Sequence, residues 1–295
     1  MWTAGKAGIG RGVRRRRAGA GPRPAPRRYP RIETVSMGGL PVARLDRRQT
    51  AALMVALATR YRRRDRPWIA TSVNGQVLSE AARHDGLREA MLYADVISCD
   101  GQPLGVASPM VAGARLPERV ATTDLFHDVA RLARTRACSM YFLGASAAEN
   151  ARAMARVRRL YPHLRILGAA HGYRDHAGWI RLVREIDRLG PDIVWLALGV
   201  PREQEFYMRF AHAMPNVGLI KTSGGLFNFL SASAPRAPQW MQESGLEWAF
   251  RMAQEPRRLM LRYLTTSPHA LLLMFTRRSR RRDEKRLGGD IGARG

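Results

Sequence analysis

Short, unbroken apolar runs alternate with amphipathic helix patterns along this chain, and that alternation limits its fold more than any other feature. The runs are WIATS (68–72), DVISC (95–99), CSMYFLGAS (138–146), LRILGAA (164–170), DIVWLALG (192–199) and VGLIKTS (217–223). Helix patterns lie over 76–91, 147–160, 178–189 and 203–214. A strand that is apolar at every position is buried on both faces, and helices between such strands supply the crossovers of a parallel sheet. The expected fold class is α/β, a parallel sheet with helices on both faces. After Pro238 the patterns are helical only, which predicts a helical C-terminal appendage.

The ends read differently. The first 32 residues hold ten Lys or Arg and no acid, and residues 1–36 are mostly Arg, Gly, Pro and Ala. Such a segment cannot bury a core and is expected to be disordered. The α/β core is expected over 37–235, an Arg- and aromatic-rich helical appendage over 236–276, and a basic disordered tail over 277–295. The net charge is +26, yet only Lys6, Lys221 and Lys285 are lysines. A genome-wide preference for Arg produces that balance without function. Charge gathered in tails suits an anionic surface better than a folded groove. Cys99 and Cys138 form no C-x-x-C and suggest no disulfide, so a reduced, cytoplasmic setting is expected. No apolar run reaches the ~18 residues of a membrane span, and the basic N-terminus lacks the apolar stretch of a secretory signal.

In parallel α/β sheets, ligands sit at the carboxyl ends of the strands. Here those exits are TSVN (71–74), CDGQP (99–103), LGAS (143–146), AAHGY (169–173), GVPREQE (199–205) and KTSGGLFN (221–228). Asp100 reads either as an Asp-Gly turn or as a general base able to take a proton from an attacking hydroxyl. Thr71, Ser72 and Asn74 offer hydroxyl and amide contacts to a polar substrate; Asn74 reads equally as a helix cap. Gln102, Arg119 and Thr123 are further candidate substrate contacts, Thr123 alternatively capping a helix. Gly144 turns a strand into a helix whose N-terminus can hold a phosphate, although a plain turn explains it better. Gly224 and Gly225 read as a turn, or as backbone N–H groups close to a diphosphate. In PREQE, Pro201 and the acids are ordinary helix-start devices. Gln204 and Glu205 are the candidates for gripping a ligand there, Arg202 is expected to face solvent or phosphate, and Glu203 is the weakest of the four. Arg236, Arg251, Arg257, Arg258 and Arg262 lie among aromatic and aliphatic residues. That mixture suits a membrane surface or a diphosphate, or else a helical cap with solvated arginines. No His, Cys or Asp cluster has metal spacing, so no metal or other cofactor is expected.

Taken together, TSVN, ADVISCDGQP, ERVATTDL, FLGAS, YPHLRILGAAHGY, DIVWLALGVPREQE, GGLFNFLS, RAPQWMQESGLEWAFR and EPRRLMLRYL resemble the WecG/TagA/CpsF glycosyltransferases over roughly 38–264. The resemblance implies a Rossmann-like core that moves a sugar, of N-acetylmannosamine type or a related hexose, from a UDP-sugar donor. The implied acceptor is a polyprenyl-diphosphate-linked sugar at the inner leaflet of the membrane, with metal-free inversion at the anomeric centre. It places the base on Asp100, and a polar pair on Ser72 and Asn74 with Thr71 displaced by one. It also places a polar cluster on Pro201, Arg202, Gln204 and Glu205, and membrane-facing arginines on Arg251, Arg257, Arg258 and Arg262. The protein is then expected to be cytoplasmic and peripherally bound to the cytoplasmic membrane, with a homo-oligomer compatible. Asn228 replaces the usual Asp and Ala232 a frequent Gly, so an ionic role at 228 is lost. Two other readings compete. A nucleic-acid-binding protein driven by its Arg tails is disfavoured by the polar strand exits. A Rossmann oxidoreductase is disfavoured by the missing G-x-G-x-x-G.

Overall fold

The computed structural model describes residues 29–287 except 64, 234–235, 239, 242–246, 255 and 278–281, and only the backbone of 248, 251, 257–264, 282–284 and 286. A hairpin opens the described chain, β1 (Arg31–Met37) and β2 (Leu40–Ala43), paired antiparallel with Met37 opposite Leu40. Gly38 and Gly39 join them with φ of 58° and 84°, the two positive values that a tight hairpin turn demands.

Helix α1 (Arg47–Thr59) then leads to β3 (Trp68–Val73), α2 (Gly75–Ala81), α3 (Asp85–Tyr93), β4 (Val96–Cys99), α4 (Gln102–Ala112) and α5 (Thr122–Thr135). The second half runs β5 (Ser139–Gly144), α6 (Ala147–Leu160), β6 (Arg165–Ala170), α7 (His176–Leu189), β7 (Ile193–Ala197), α8 (Arg202–Phe210), β8 (Leu219–Thr222) and α9 (Leu226–Leu230). Two helices, α10 (Glu247–Gln254) and α11 (Pro256–Thr276), precede a last strand, β9 (Arg282–Arg286). Strands β3 to β8 form a six-stranded sheet in the order β4-β3-β8-β7-β5-β6, every pair parallel.

Side chains alternate across a strand, so each strand feeds two cores. On one face Val194, Leu196, Ile69, Ile97 and Ile220 pack with Leu78 of α2, Met91 of α3, Ile186 of α7 and Tyr207 of α8. On the other, Ile193, Trp195, Ala70, Val96 and Leu219 pack with Met54 of α1, Phe126 of α5 and Val157 of α6. The parallel sheet and its two helical layers agree with the pattern of apolar runs.

The ends depart from expectation. Structure begins before Met37, because Ile32, Val35 and Met37 are buried and β1 is fully paired. The C-terminal tail is ordered over 282–286: β9 pairs antiparallel with β1, Arg31 opposite Arg286, and Leu287 is buried beside it. The disorder expected of residues 1–28 and 288–295 falls outside the described residues. One helix pattern, 76–91, is two helices. Asn74 caps α2 by accepting from the Val77 N–H at 3.0 Å, and Asp85 opens α3 at its positive end.

Candidate active site

The exits of β3 and β4 meet at Asp100. Its N–H donates to Val73 O at 2.9 Å, which seats it beside the end of β3. Its Oδ2 accepts from Thr122 Oγ1 at 3.0 Å and from the Thr122 N–H at 3.3 Å. Thr122 is the first residue of the 14-residue α5, so the carboxylate lies at the positive end of that helix dipole. On the other side, Arg119 Nη2 approaches Oδ1 at 3.5 Å and Nε at 3.4 Å. Arg119 also donates from Nη1 to Glu247 Oε2 at 2.8 Å, and Glu247, the first residue of α10, is buried. Burial works against the Arg119 charge, but the Asp100 and Glu247 carboxylates outweigh it and hold its pKa above the usual arginine value. The Asp100 side chain keeps 21% of its surface exposed, so its carboxylate is open to solvent.

Behind Asp100 lies a buried polar layer. Lys221 is fully buried in β8 and donates from Nζ to Ser72 Oγ and to Thr222 O, both at 2.8 Å. Ser72 Oγ lies 3.1 Å from Ser98 Oγ and 3.5 Å from Thr122 Oγ1. Burial pushes the Lys221 ammonium down to about 8, against the pull of Asp100 and Glu203. Glu203, 2% exposed, accepts at Oε1 from the N–H groups of Gly224 at 2.7 Å, Leu198 at 3.2 Å and Ser223 at 3.3 Å. Burial pushes its carboxyl up to about 7, while Gly224, Lys221 and Ser223 resist. Glu203 therefore ties the β7 exit to the β8 exit.

Of the residues singled out in the sequence, the structure brings Ser72, Asp100 and Arg119 together, with Gln102 half-buried at the start of α4. Thr71 is corrected: it is 1% exposed, and its Oγ1 lies 2.9 Å from Thr222 Oγ1 on the opposite face of the sheet, near Met91. Strand parity is the reason, since Ser72 and Thr71 point to different faces. Asn74 serves as the α2 cap. Thr123 is not the α5 cap; Ala121 holds that position, and Thr123 is half-buried one residue inside the helix. Gly144 fits a close approach: a Cβ there would lie 2.1 Å from Ala197 O. The following helix caps itself, Ser146 and Glu149 forming a capping box.

Gly224 is also corrected, because its N–H is committed to Glu203 rather than to a diphosphate. Gly225 is exposed ahead of the five-residue α9, and Asn228 is exposed within it. Gln204 is 2% exposed, and its Oε1 is buried without a hydrogen-bond partner. Glu205 and Arg202 are exposed. Arg236 grips Asp124 of α5 by two bonds, at 2.6 and 2.7 Å, so it fastens the chain after α9 to the core. The side chains of Arg251 on α10 and of Arg257, Arg258 and Arg262 on α11 lie outside the described residues.

Three participants escaped the sequence reading, Thr122, Lys221 and Glu247, and Glu203 reads in the sequence as the weakest of its cluster. One signal was present. Lys221 is among only three lysines in an arginine-dominated chain, and it interrupts an apolar strand.

A family model described as "Glycosyl transferase WecG/TagA/CpsF family" matches residues 35–284. Among curated proteins, the N-acetylglucosaminyldiphosphoundecaprenol N-acetyl-beta-D-mannosaminyltransferase of Bacillus subtilis is 26% identical over 209 residues, 70% of this chain and 78% of that protein. A protein of the same name from Bacillus spizizenii is 29% identical over 209 residues, 68% of this chain and 77% of its own length.

Proposed function

This chain belongs to the glycosyl transferase WecG/TagA/CpsF family, and from that premise we propose that it moves an N-acetylmannosamine-type sugar from a UDP-sugar to a polyprenyl-diphosphate-linked sugar, with inversion and without a metal. The observation that carries the chemistry is Asp100, a partly exposed carboxylate at a strand exit with both oxygens anchored by Thr122 and Arg119. In this reading Asp100 takes the proton of the acceptor hydroxyl as that oxygen bonds to C1 of the donor sugar. On the opposite face the bond from C1 to the diphosphate oxygen breaks, and UDP leaves with the electron pair.

A cation already stands against the base, the Arg119 guanidinium, which supports a metal-free site. The resemblance, and no described side-chain contact, assigns the leaving diphosphate to arginines of the C-terminal helices.

Two curated relatives of the same name act, by that name, on a lipid-linked acceptor, which supports the same substrate class here. Among the described residues no helix is long and apolar enough to cross a membrane. On α11, however, Leu271, Leu272 and Phe275 are 41%, 59% and 46% exposed just before the exposed Arg277. Apolar side chains beside a cation suit peripheral attachment to the inner leaflet.

The test is a donor screen, with UDP release measured from several UDP-sugars and a short-chain lipid-diphosphate sugar as acceptor. One donor of N-acetylmannosamine type is expected to turn over, and Asp100→Asn to cost about 10²–10⁴-fold in kcat. Turnover with no UDP-sugar overturns the donor class; near-normal transfer by Asp100→Asn removes Asp100 as the base.

A further inference from the structure

Lys221 is a buried cation for which the scheme above has no use. An ammonium can only donate hydrogen bonds, and a carboxylate can only accept them. Those two facts set the direction of the hydroxyls between Lys221 and Asp100. Ser72 Oγ accepts from Lys221 Nζ at 2.8 Å and must turn its own hydrogen away from it. Its remaining neighbours are Ser98 Oγ at 3.1 Å and Thr122 Oγ1 at 3.5 Å. Ser98 Oγ spends its hydrogen on Thr71 O at 3.2 Å, and Thr122 Oγ1 donates to Asp100 Oδ2 at 3.0 Å. Every hydroxyl in the layer therefore points away from Lys221, and one branch of the layer ends on the base.

We propose that Lys221 is a positioning residue of the transfer reaction, whose buried ammonium aligns the Ser72 and Thr122 hydroxyls and thereby holds the Asp100 carboxylate oriented toward the acceptor hydroxyl. The inference rests on the glycosyltransfer reading above. Strand geometry explains why a residue of β8 serves β4. Lys221 sits opposite Ala70 in the β3–β8 ladder, Ser72 opposite Ser98 in the β3–β4 ladder, and all of these face the same side of the sheet. The charged groups facing the ammonium are Asp100 from the β4 exit and Glu203 from α8.

Loss of the proton would give Lys221 a lone pair, let Ser72 donate back to it and leave Asp100 without its buried counter-charge. The direction is thus enforced only while Lys221 is charged, up to about pH 8.

The experiment uses the full chain and has two arms. In the kinetic arm, wild type is expected to lose kcat as pH rises through about 8. Lys221→Met is expected to lower kcat about 10–100-fold, to keep donor KM within about twofold of wild type, and to lack that alkaline limb. A folded Lys221→Met with wild-type kcat, or a wild type with no alkaline limb near this pH, overturns the proposal. The second arm needs neither substrate nor a stable Lys221 variant. With 13C at lysine Cε, the three lysines give three signals; Lys285→Arg removes that of the half-buried Lys285, and the Lys221 signal is followed through pH in wild type and in Asp100→Asn. Removal of the carboxylate charge is expected to lower the Lys221 midpoint by at least about half a unit; an unmoved midpoint overturns the coupling. If wild type transfers no sugar at all, the reaction reading fails while this titration still decides whether Lys221 is tied to Asp100.

Discussion

At Glu203 one carboxylate oxygen collects the N–H groups of Leu198, Ser223 and Gly224, so a side chain that reads as a helix-start acid is the clasp between two strand exits. Its carboxyl is pushed by burial from the ordinary 4.5 up to about 7. The folded state therefore keeps this proton to higher pH than the unfolded chain does. The stabilisation is fully present below about pH 4.5 and is lost as pH rises through about 7. Urea unfolding of wild type and Glu203→Gln across that window is expected to show wild type losing on the order of 2–3 kcal/mol relative to the variant; a flat difference contradicts it. Asp100 was legible as a candidate base because a carboxylate at a strand exit is chemically conspicuous. The division between Glu203 and Glu205, one buried and one exposed, was not. Two acids two residues apart on a helix differ only in which one faces the sheet, and that depends on how α8 is rolled.

Strands and helices followed the apolar runs closely because a doubly covered parallel strand is apolar at most positions, with Ser72, Ser98 and Lys221 among the exceptions. What joins the elements at their carboxyl ends was less visible. Asn150 of α6, 5% exposed, donates from Nδ2 to Ala170 O at 2.9 Å and Gly144 O at 3.0 Å, and so ties β5 to β6 where both strands end. Asn150→Ala leaves two carbonyls without this donor. It is expected to cost about 1–3 kcal/mol, read as a fall in the urea midpoint with unchanged slope. Thr71 and Gly144 are placed at this scale. Which of Thr71 and Ser72 faces Asp100 is a question of strand parity, and Gly144 answers to the backbone of β7.

The first and last described strands meet in a second sheet, β2-β1-β9, which anchors the segment after α11 to the start of the core. Lys285 adds a bond from Nζ to Ala94 O at 2.9 Å, and Leu287 is 2% exposed in the core beneath α1. Truncation after Thr276 removes these contacts. It is expected to lower stability by about 2–4 kcal/mol and to expose the β1 amides that face β9 to hydrogen exchange; retained protection there contradicts the pairing. The C-terminal part also reaches the site, since Glu247 of α10 holds Arg119, which contacts Asp100. By itself the sequence determined the α/β class, the boundaries of its parallel strands and the place of Asp100 at one of their exits, because hydrophobic period and strand polarity are local properties. Only the tertiary structure decided that Lys221, Ser72, Thr122 and Asp100 form one buried layer, and that the terminal segments close on the core. The Lys221–Ser72 bond joins residues 149 positions apart, Arg31 pairs with Arg286 across nearly the whole described chain, and no local pattern carries their register.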